Sequence, residues 1–211
     1  MIYTDLPGSA GPEPSRAPIF GVHAVALKRA GLAVIPGEGK KPLCDGFPKW
    51  THGLGYKAIE QWAARKPGAD ILYIPGLSRT RHNPYGVIVV DADNDNERER
   101  AREFFGYTPG EIDTRRGGHG LWRAPDESIP VDTLRDLGWE VDLRHGQAFA
   151  GIAVAPPSRH EKDRSVIYSW AKDSGPDAIR ELPPFPLKRM MMLLDTYARG
   201  QGVGIDLIPH M

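Results

Sequence analysis

Gly86-Val-Ile-Val-Val-Asp-Ala-Asp-Asn94 is the stretch on which the reading of this chain turns. Val87 to Val90 are β-branched and apolar, which predicts a buried strand. The strand runs into Asp91 and Asp93, and side chains two positions apart project from the same face. Two carboxylates held side by side repel each other unless a cation lies between them, so the pair is a natural seat for Mg²⁺ or Mn²⁺, which favour oxygen ligands. The same residues also fit a solvated turn after a core strand, because Asn94-Asp95-Asn96 follows and these are turn-forming types.

The composition narrows the class of protein around that stretch. Of 211 residues, 40% are hydrophobic and 26% charged, which suits one globular domain with appendages. Twenty-seven basic residues balance 27 acidic ones, so any nucleic-acid contact has to come from a local basic groove rather than an overall cationic field. The single cysteine, Cys44, excludes an internal disulfide and a cysteine-based zinc site. No apolar run has the length of a membrane span or a signal-peptide core, which makes the cytoplasm the expected compartment.

Upstream of the acid pair, residues 1–17 carry Pro7, Pro12 and Pro14 among Gly and Ser and read as a flexible arm. Ile19–Ala30 predicts an amphipathic helix stopped by Gly31. Leu32–Pro36 predicts a short strand, leading into Gly37-Glu-Gly-Lys-Lys-Pro42. Lys40 and Lys41 in that loop suit phosphate or template backbone, although the pattern lacks the Ser or Thr that follows the lysine of a phosphate loop. A solvated turn fits it equally well. Tyr56–Lys66 predicts a second helix and Ile71–Ile74 a strand, followed by a polar turn with Arg79, Arg81 and His82.

Downstream, Glu97–Phe105 predicts a helix with a packing face of Ala101, Phe104 and Phe105. Thr114-Arg-Arg-Gly-Gly-His-Gly-Leu-Trp-Arg123 is the second candidate site: Gly117 and Gly118 permit close approach of a ligand, and His119 beside two arginines suits an anion such as a triphosphate. A lone histidine there also fits a structural role. Residues 131–137 predict a short helix. Trp139-Glu-Val-Asp-Leu-Arg144 alternates, with Val141 and Leu143 on one face and Asp142 and Arg144 on the other; a surface ion pair on an edge strand would look the same. Residues 149–155 predict a strand that closes on Pro156-Pro-Ser-Arg-His160, and Val166–Trp170 a last strand whose Tyr168 and Trp170 read mainly as core. Pro183–Pro186 reads as a hinge, Leu187–Tyr197 as a helix docked by Met190, Met191, Leu193 and Leu194 or facing a partner, and Gly200, Gly202 and Gly204 as a loose tail.

Taken together, Val89-Val-Asp-Ala-Asp93, Gly117-Gly-His119 and Glu140-Val-Asp-Leu-Arg144 resemble, in that order, the archaeo-eukaryotic primase superfamily, specifically the bifunctional DNA primase/polymerase domain of phage and plasmid replication proteins. The Lys-Lys-Pro turn, the Val154–His160 stretch and Tyr168-x-Trp170 are similar to further motifs of that family, so the resemblance covers roughly residues 20–170. Where relatives often carry Ser, two residues before the histidine, this chain has Gly117.

The resemblance implies template-directed nucleotidyl transfer on single-stranded DNA from NTPs or dNTPs. Asp91, Asp93 and Asp142 would hold two Mg²⁺ or Mn²⁺ ions, with no zinc, and His119 would contact the triphosphate. Arg144, His160, Arg116 and Ser158 complete the expected nucleotide-binding set, and Lys40, Lys41 and Arg115 the template or phosphate contacts. The implied fold is α/β (α+β): a curved mixed sheet like an RNA-recognition motif, a smaller N-terminal α/β unit, and the active site in the cleft between them. The expected organisation is an arm at 1–17, a catalytic domain at 18–170, and a hinge, helix and tail at 171–211 leading to a helicase domain or partner, in a bacterial or archaeal cytoplasm.

Two alternatives stand beside this reading. A haloacid-dehalogenase-type phosphatase also uses Asp-x-Asp after a strand, but favours Thr or Val where this chain has Asp95, and no second acidic pair follows Asp142. The other is a non-catalytic nucleic-acid-binding replication module.

Overall fold

The computed structural model describes residues 18–80, 82–126, 133–145 and 151–200. The expected arm at 1–17, Arg81, the first part of the 131–137 helix, Phe149 and Ala150, and Gly202 and Gly204 of the tail lie outside the described residues. Two sheets build the α+β fold, with strand orders β2-β1-β3-β8 and β7-β4-β6-β5-β9. The first comprises β1 (Val34–Glu38), β2 (Lys41–Pro42), β3 (Asp70–Tyr73) and β8 (Ala153–Val154). The second comprises β4 (Val87–Ala92), β5 (Glu111–Asp113), β6 (Gly118–Arg123), β7 (Val141–Arg144) and β9 (Ser169–Trp170). All the strand pairs are antiparallel, so the mixed character expected of the sheet reduces to one parallel bridge between Arg123 and Pro184.

The second sheet is buried on both sides, and β4 shows how. Val87 and Val89 pack with α1 (Ile19–Ala30), β1, β3 and Ile59 of α2 (Tyr56–Arg65). Ile88, Val90 and Ala92 face the opposite way, into a core formed with α3 (Asp95–Phe105), β7 and α5 (Leu187–Gly200). A strand sandwiched in this way has no polar face until it ends, which is why its sequence is a continuous apolar run rather than an alternation. Odd-numbered side chains of β4 point toward the first sheet, and Asp91 continues that row.

Local chemistry sets the element ends. Gly31, at φ 116°, closes α1 in the left-handed conformation, with its own N–H bonded to the Lys28 carbonyl. Asn94, read as part of a turn, is the N-cap of α3: its side-chain oxygen accepts the Glu97 N–H at 3.0 Å, so Asp95 and Asn96 form the first helical turn. The Pro183–Pro186 segment, expected as a hinge, is hydrogen-bonded along Arg123, whose N–H donates to the Pro183 carbonyl and whose carbonyl accepts from Phe185. Beyond it, α5 buries Met190 and Leu194 in the second core. No described helix is long and apolar enough to cross a membrane.

Candidate active site

The register of three strands sets the centre of the site. Asp91 on β4 pairs with Asp142 on β7 to one side and with His119 on β6 to the other. Residues paired across adjacent strands project from the same face, and here that face looks toward the first sheet. Val141 and Leu143 are buried in the opposite core, which turns Asp142 and Arg144 to the other face, as their alternation predicted, and Arg144 lines the cleft there. Beyond the strand end, Asp93 keeps the register, its N–H donating to the Glu140 carbonyl at 3.0 Å.

Two arginines tie the three carboxylates together. Arg144 donates to Asp91 Oδ2 from Nε at 2.8 Å and from Nη2 at 2.6 Å, and Nη2 also reaches Asp142 Oδ2 at 3.2 Å. Arg135, on the short helix α4 (Thr133–Asp136), donates to Asp93 Oδ2 at 2.9 Å and pairs through Nε with Asp142 Oδ1. His119, 6% exposed, sets Nε2 3.3 Å from Asp91 Oδ1, while its buried Nδ1 has no partner among the described residues. Burial alone would raise the pKa of Asp91, but His119 and Arg144 outweigh it and hold the carboxyl well below the usual carboxylate range.

The cleft beside this cluster has a volume of about 100 Å³ and also takes in Lys40, Thr114, Arg115, Arg116, His160 and Tyr168. Its floor comes from the first sheet, where Leu72, Ala153 and Val154 approach Asp91, His119 and Arg144. The cleft therefore lies between the two sheets. Gly117 and Gly118 shape its β5–β6 rim. The Gly117 N–H donates to Thr114 Oγ1, and a Cβ at 117 would overlap the Ala92 carbonyl and come within 2.8 Å of the Asn94 nitrogen. The backbone of the hairpin thus lies against the end of β4 with no room for a side chain, which accounts for glycine where relatives often have serine.

Within the cleft, the pKa of His160 is lowered first by burial and then by the positive charges of Arg115 and Lys40, against which Glu161 and Asp163 act. Tyr168 lies between the two histidines, its ring centroid 5.9 Å from that of His119 and 6.1 Å from that of His160. Burial first, then Asp91 and Glu161, pushes its hydroxyl up to about 12, so it remains neutral at physiological pH.

Of the residues singled out from sequence, Asp91, Asp93, Asp142, His119, Arg144, His160, Arg115, Arg116 and Lys40 are brought together. Lys41 is exposed on β2 and does not line the cleft. Ser158 is a correction. Its hydroxyl is fully buried, accepts the Ile71 N–H at 2.7 Å and donates to the Ile71 carbonyl at 3.2 Å, so it fastens β3 and does not line the cleft. Arg144, expected to meet phosphate, engages Asp91 and Asp142. Sequence reasoning missed Arg135, whose helix had no visible relation to the acids, and left Tyr168 in the core, since apolar spacing alone does not distinguish a core ring from one lining a cleft.

Among the described residues no group of three or more His, Cys, Asp or Glu side chains is arranged to hold a metal ion, and Arg135 and Arg144 bond oxygens of all three carboxylates. The donor set nevertheless suits a hard divalent cation: three carboxylates on adjoining positions, their charge balanced by guanidinium groups that a cation could replace.

The α+β fold thus holds an acidic cluster and cationic side chains beside one cleft between two sheets. The family described as bifunctional DNA primase/polymerase, N-terminal, matches residues 24–186, and the chain belongs to that family. Membership carries primase/polymerase-type activity in DNA replication, with DNA and nucleotides as substrates and a general use of divalent metals. No curated protein matches the chain significantly.

Proposed function

We propose that this chain catalyses template-directed nucleotidyl transfer on single-stranded DNA, making primers, extending them, or both, in phage or plasmid replication. The observation that carries this reading is the convergence of Asp142 with Asp91 and Asp93, the latter two lining a cleft that also takes in Lys40, Arg115, Arg116 and His160.

Asp91, Asp93 and Asp142 would hold two Mg²⁺ or Mn²⁺ ions, whose chemistry is activation of the attacking hydroxyl and neutralisation of the charge on the departing pyrophosphate. The chain's own groups bind and orient the nucleotide. Lys40, Arg115 and Arg116 neutralise the triphosphate as point charges and forks. His119, fixed by Asp91, presents an imidazole to it, and Tyr168 limits the space between the two histidines. In the reaction, the bond from the α-phosphorus to the bridging oxygen of the β-phosphate breaks as the 3′-oxygen forms its own. A helicase, as a domain or a separate partner, supplies the unwound template. Residues 18–170 form the catalytic unit, and 171–200 buttress its second sheet.

The test is primer-free incubation with single-stranded DNA, Mn²⁺ or Mg²⁺ and labelled nucleotides, run beside Asp91→Ala and His119→Ala. The wild-type chain makes template-dependent product, Asp91→Ala makes none, and His119→Ala shows a raised apparent KM for nucleotide. Retained synthesis by Asp91→Ala would remove the assignment. Phosphate release from small phosphomonoesters without template would point to the dehalogenase-type alternative.

A further inference from the structure

A second carboxylate network lies at the loops that carry Lys40 and His160. Asp70, at the start of β3, is 1% exposed and accepts four hydrogen bonds. Two come from backbone amides in separate loops: Gly39 N–H to Oδ2 at 2.8 Å, and Arg159 N–H to Oδ1 at 3.0 Å. The other two come from the guanidinium of Arg164, at 2.6 Å and 3.5 Å. Each amide belongs to the residue just before one that lines the cleft, Lys40 after Gly39 and His160 after Arg159. Gly39 has φ 60°, and a Cβ there would stand 2.7 Å from Glu161 Cβ, so the β1–β2 tip is pressed onto the His160 loop. Ser158 secures the same loop to β3 through Ile71.

Stability alone does not account for this arrangement, since an apolar replacement of a buried ion pair is often at least as stable. What a buried carboxylate adds is geometry: its two oxygens fix two loops at once. We infer that Asp70 is a positioning residue that locks the β1–β2 tip to the 158–164 loop, and so presets the Lys40 ammonium and the His160 imidazole as one edge for the nucleotide's phosphates. This rests on the nucleotidyl-transfer reading above and adds to it the residue that shapes the phosphate side of the site. Preorganising these two groups spares the ligand the cost of ordering them, so Asp70 acts on nucleotide affinity and leaves the carboxylate cluster, which it does not bond, unchanged.

The experiment measures, on the full chain, binding of a fluorescent nucleoside triphosphate, Mn²⁺ binding by electron paramagnetic resonance, and thermal unfolding, for wild type, Asp70→Asn, Lys40→Ala and the double variant. Asp70→Asn is expected to weaken nucleotide binding about tenfold, on the scale of a lost hydrogen bond to a charged group, with Mn²⁺ affinity within about twofold of wild type. In the Lys40→Ala background, Asp70→Asn should have a clearly smaller effect, because the two act through one edge. Should Asp70→Asn not fold, Arg164→Gln removes only the half-exposed partner and is expected to weaken nucleotide binding in the same direction. Unchanged nucleotide affinity in the folded variant, equal loss of Mn²⁺ and nucleotide binding, or fully multiplicative effects of the two substitutions would overturn the inference. Failure of the wild-type chain to bind nucleotide at all would overturn the underlying functional reading, and this inference with it.

Discussion

Asp91 and Asp142 stand directly opposite one another in the β4–β7 ladder, and a single guanidinium, that of Arg144, bonds both. Like charges across a strand pair destabilise a sheet, so the position is tolerable only while cations share the site. With His119 opposite Asp91 on the other side, the centre of the second sheet carries a row of ionisable groups where a structural sheet would carry apolar ones.

The low pKa of Asp91 has a consequence for acid stability. A carboxyl whose pKa is lower in the folded than in the unfolded chain contributes stability that is fully present above the unfolded value, about 4, and is lost as pH falls through the folded value. Urea unfolding between pH 7 and pH 3 should therefore show a loss of wild-type stability below about pH 4 that is smaller in Asp91→Asn. An unaltered acid limb in the variant would mean that His119 and Arg144 do not hold the carboxylate in solution.

Arg135 bridges Asp93 and Asp142 from the surface. Replacing it with Gln removes the cation and leaves the carboxylates. Without divalent ions, stability should fall by no more than about 1 kcal/mol, as for other exposed pairs. Affinity for Mn²⁺ should rise, because the carboxylates no longer have an internal cation to displace. Thermal unfolding in chelator and across a Mn²⁺ titration checks both, and a weaker Mn²⁺ response than wild type would contradict the expectation.

Gly117→Ser introduces a Cβ where the Ala92 carbonyl already lies. Relieving that overlap means moving the β5–β6 hairpin away from β4, at about 1–3 kcal/mol, and shifting His119 relative to Asp91. Chemical denaturation should register the loss, together with a fall in nucleotide incorporation. A stable, fully active Gly117→Ser protein would show that the hairpin does not rest against β4 as described.

Met190 is fully buried between α5 and the second sheet. Met190→Ala should cost about 2–5 kcal/mol, with one cooperative transition if residues 187–200 fold with the body. A change below about 0.5 kcal/mol, the usual range for surface positions, would mean that the helix is not docked in solution.

Several of these relationships were legible in the sequence because they are local. The run Val87–Val90 read as a buried strand, and the shared face of Asp91 and Asp93 followed from the pleat. The alternation from Val141 to Arg144 placed Asp142 correctly before any partner strand was known. Other features had no local signal. β5 is three residues long and owes its conformation to β6 and β9 on either side. Ser158 follows two prolines in a motif that suggested a ligand contact, yet its hydroxyl is taken by Ile71, 87 positions away in sequence. Asp70 opens an apolar strand as many surface acids do, and nothing near it in sequence marks it as buried.

By itself, then, the sequence determined the elements that carry an apolar run or face, such as β4, α1 and α2, and which acids share a strand face, because side-chain direction follows from backbone periodicity. Only the tertiary structure decided that Asp142 and His119 flank Asp91, that Arg135 and Arg144 pair with the cluster, and that Asp70 joins the Gly39 and Arg159 loops. Those relationships depend on strand order, pairing register and loop packing, which are set by burial summed over the whole chain rather than by any one segment.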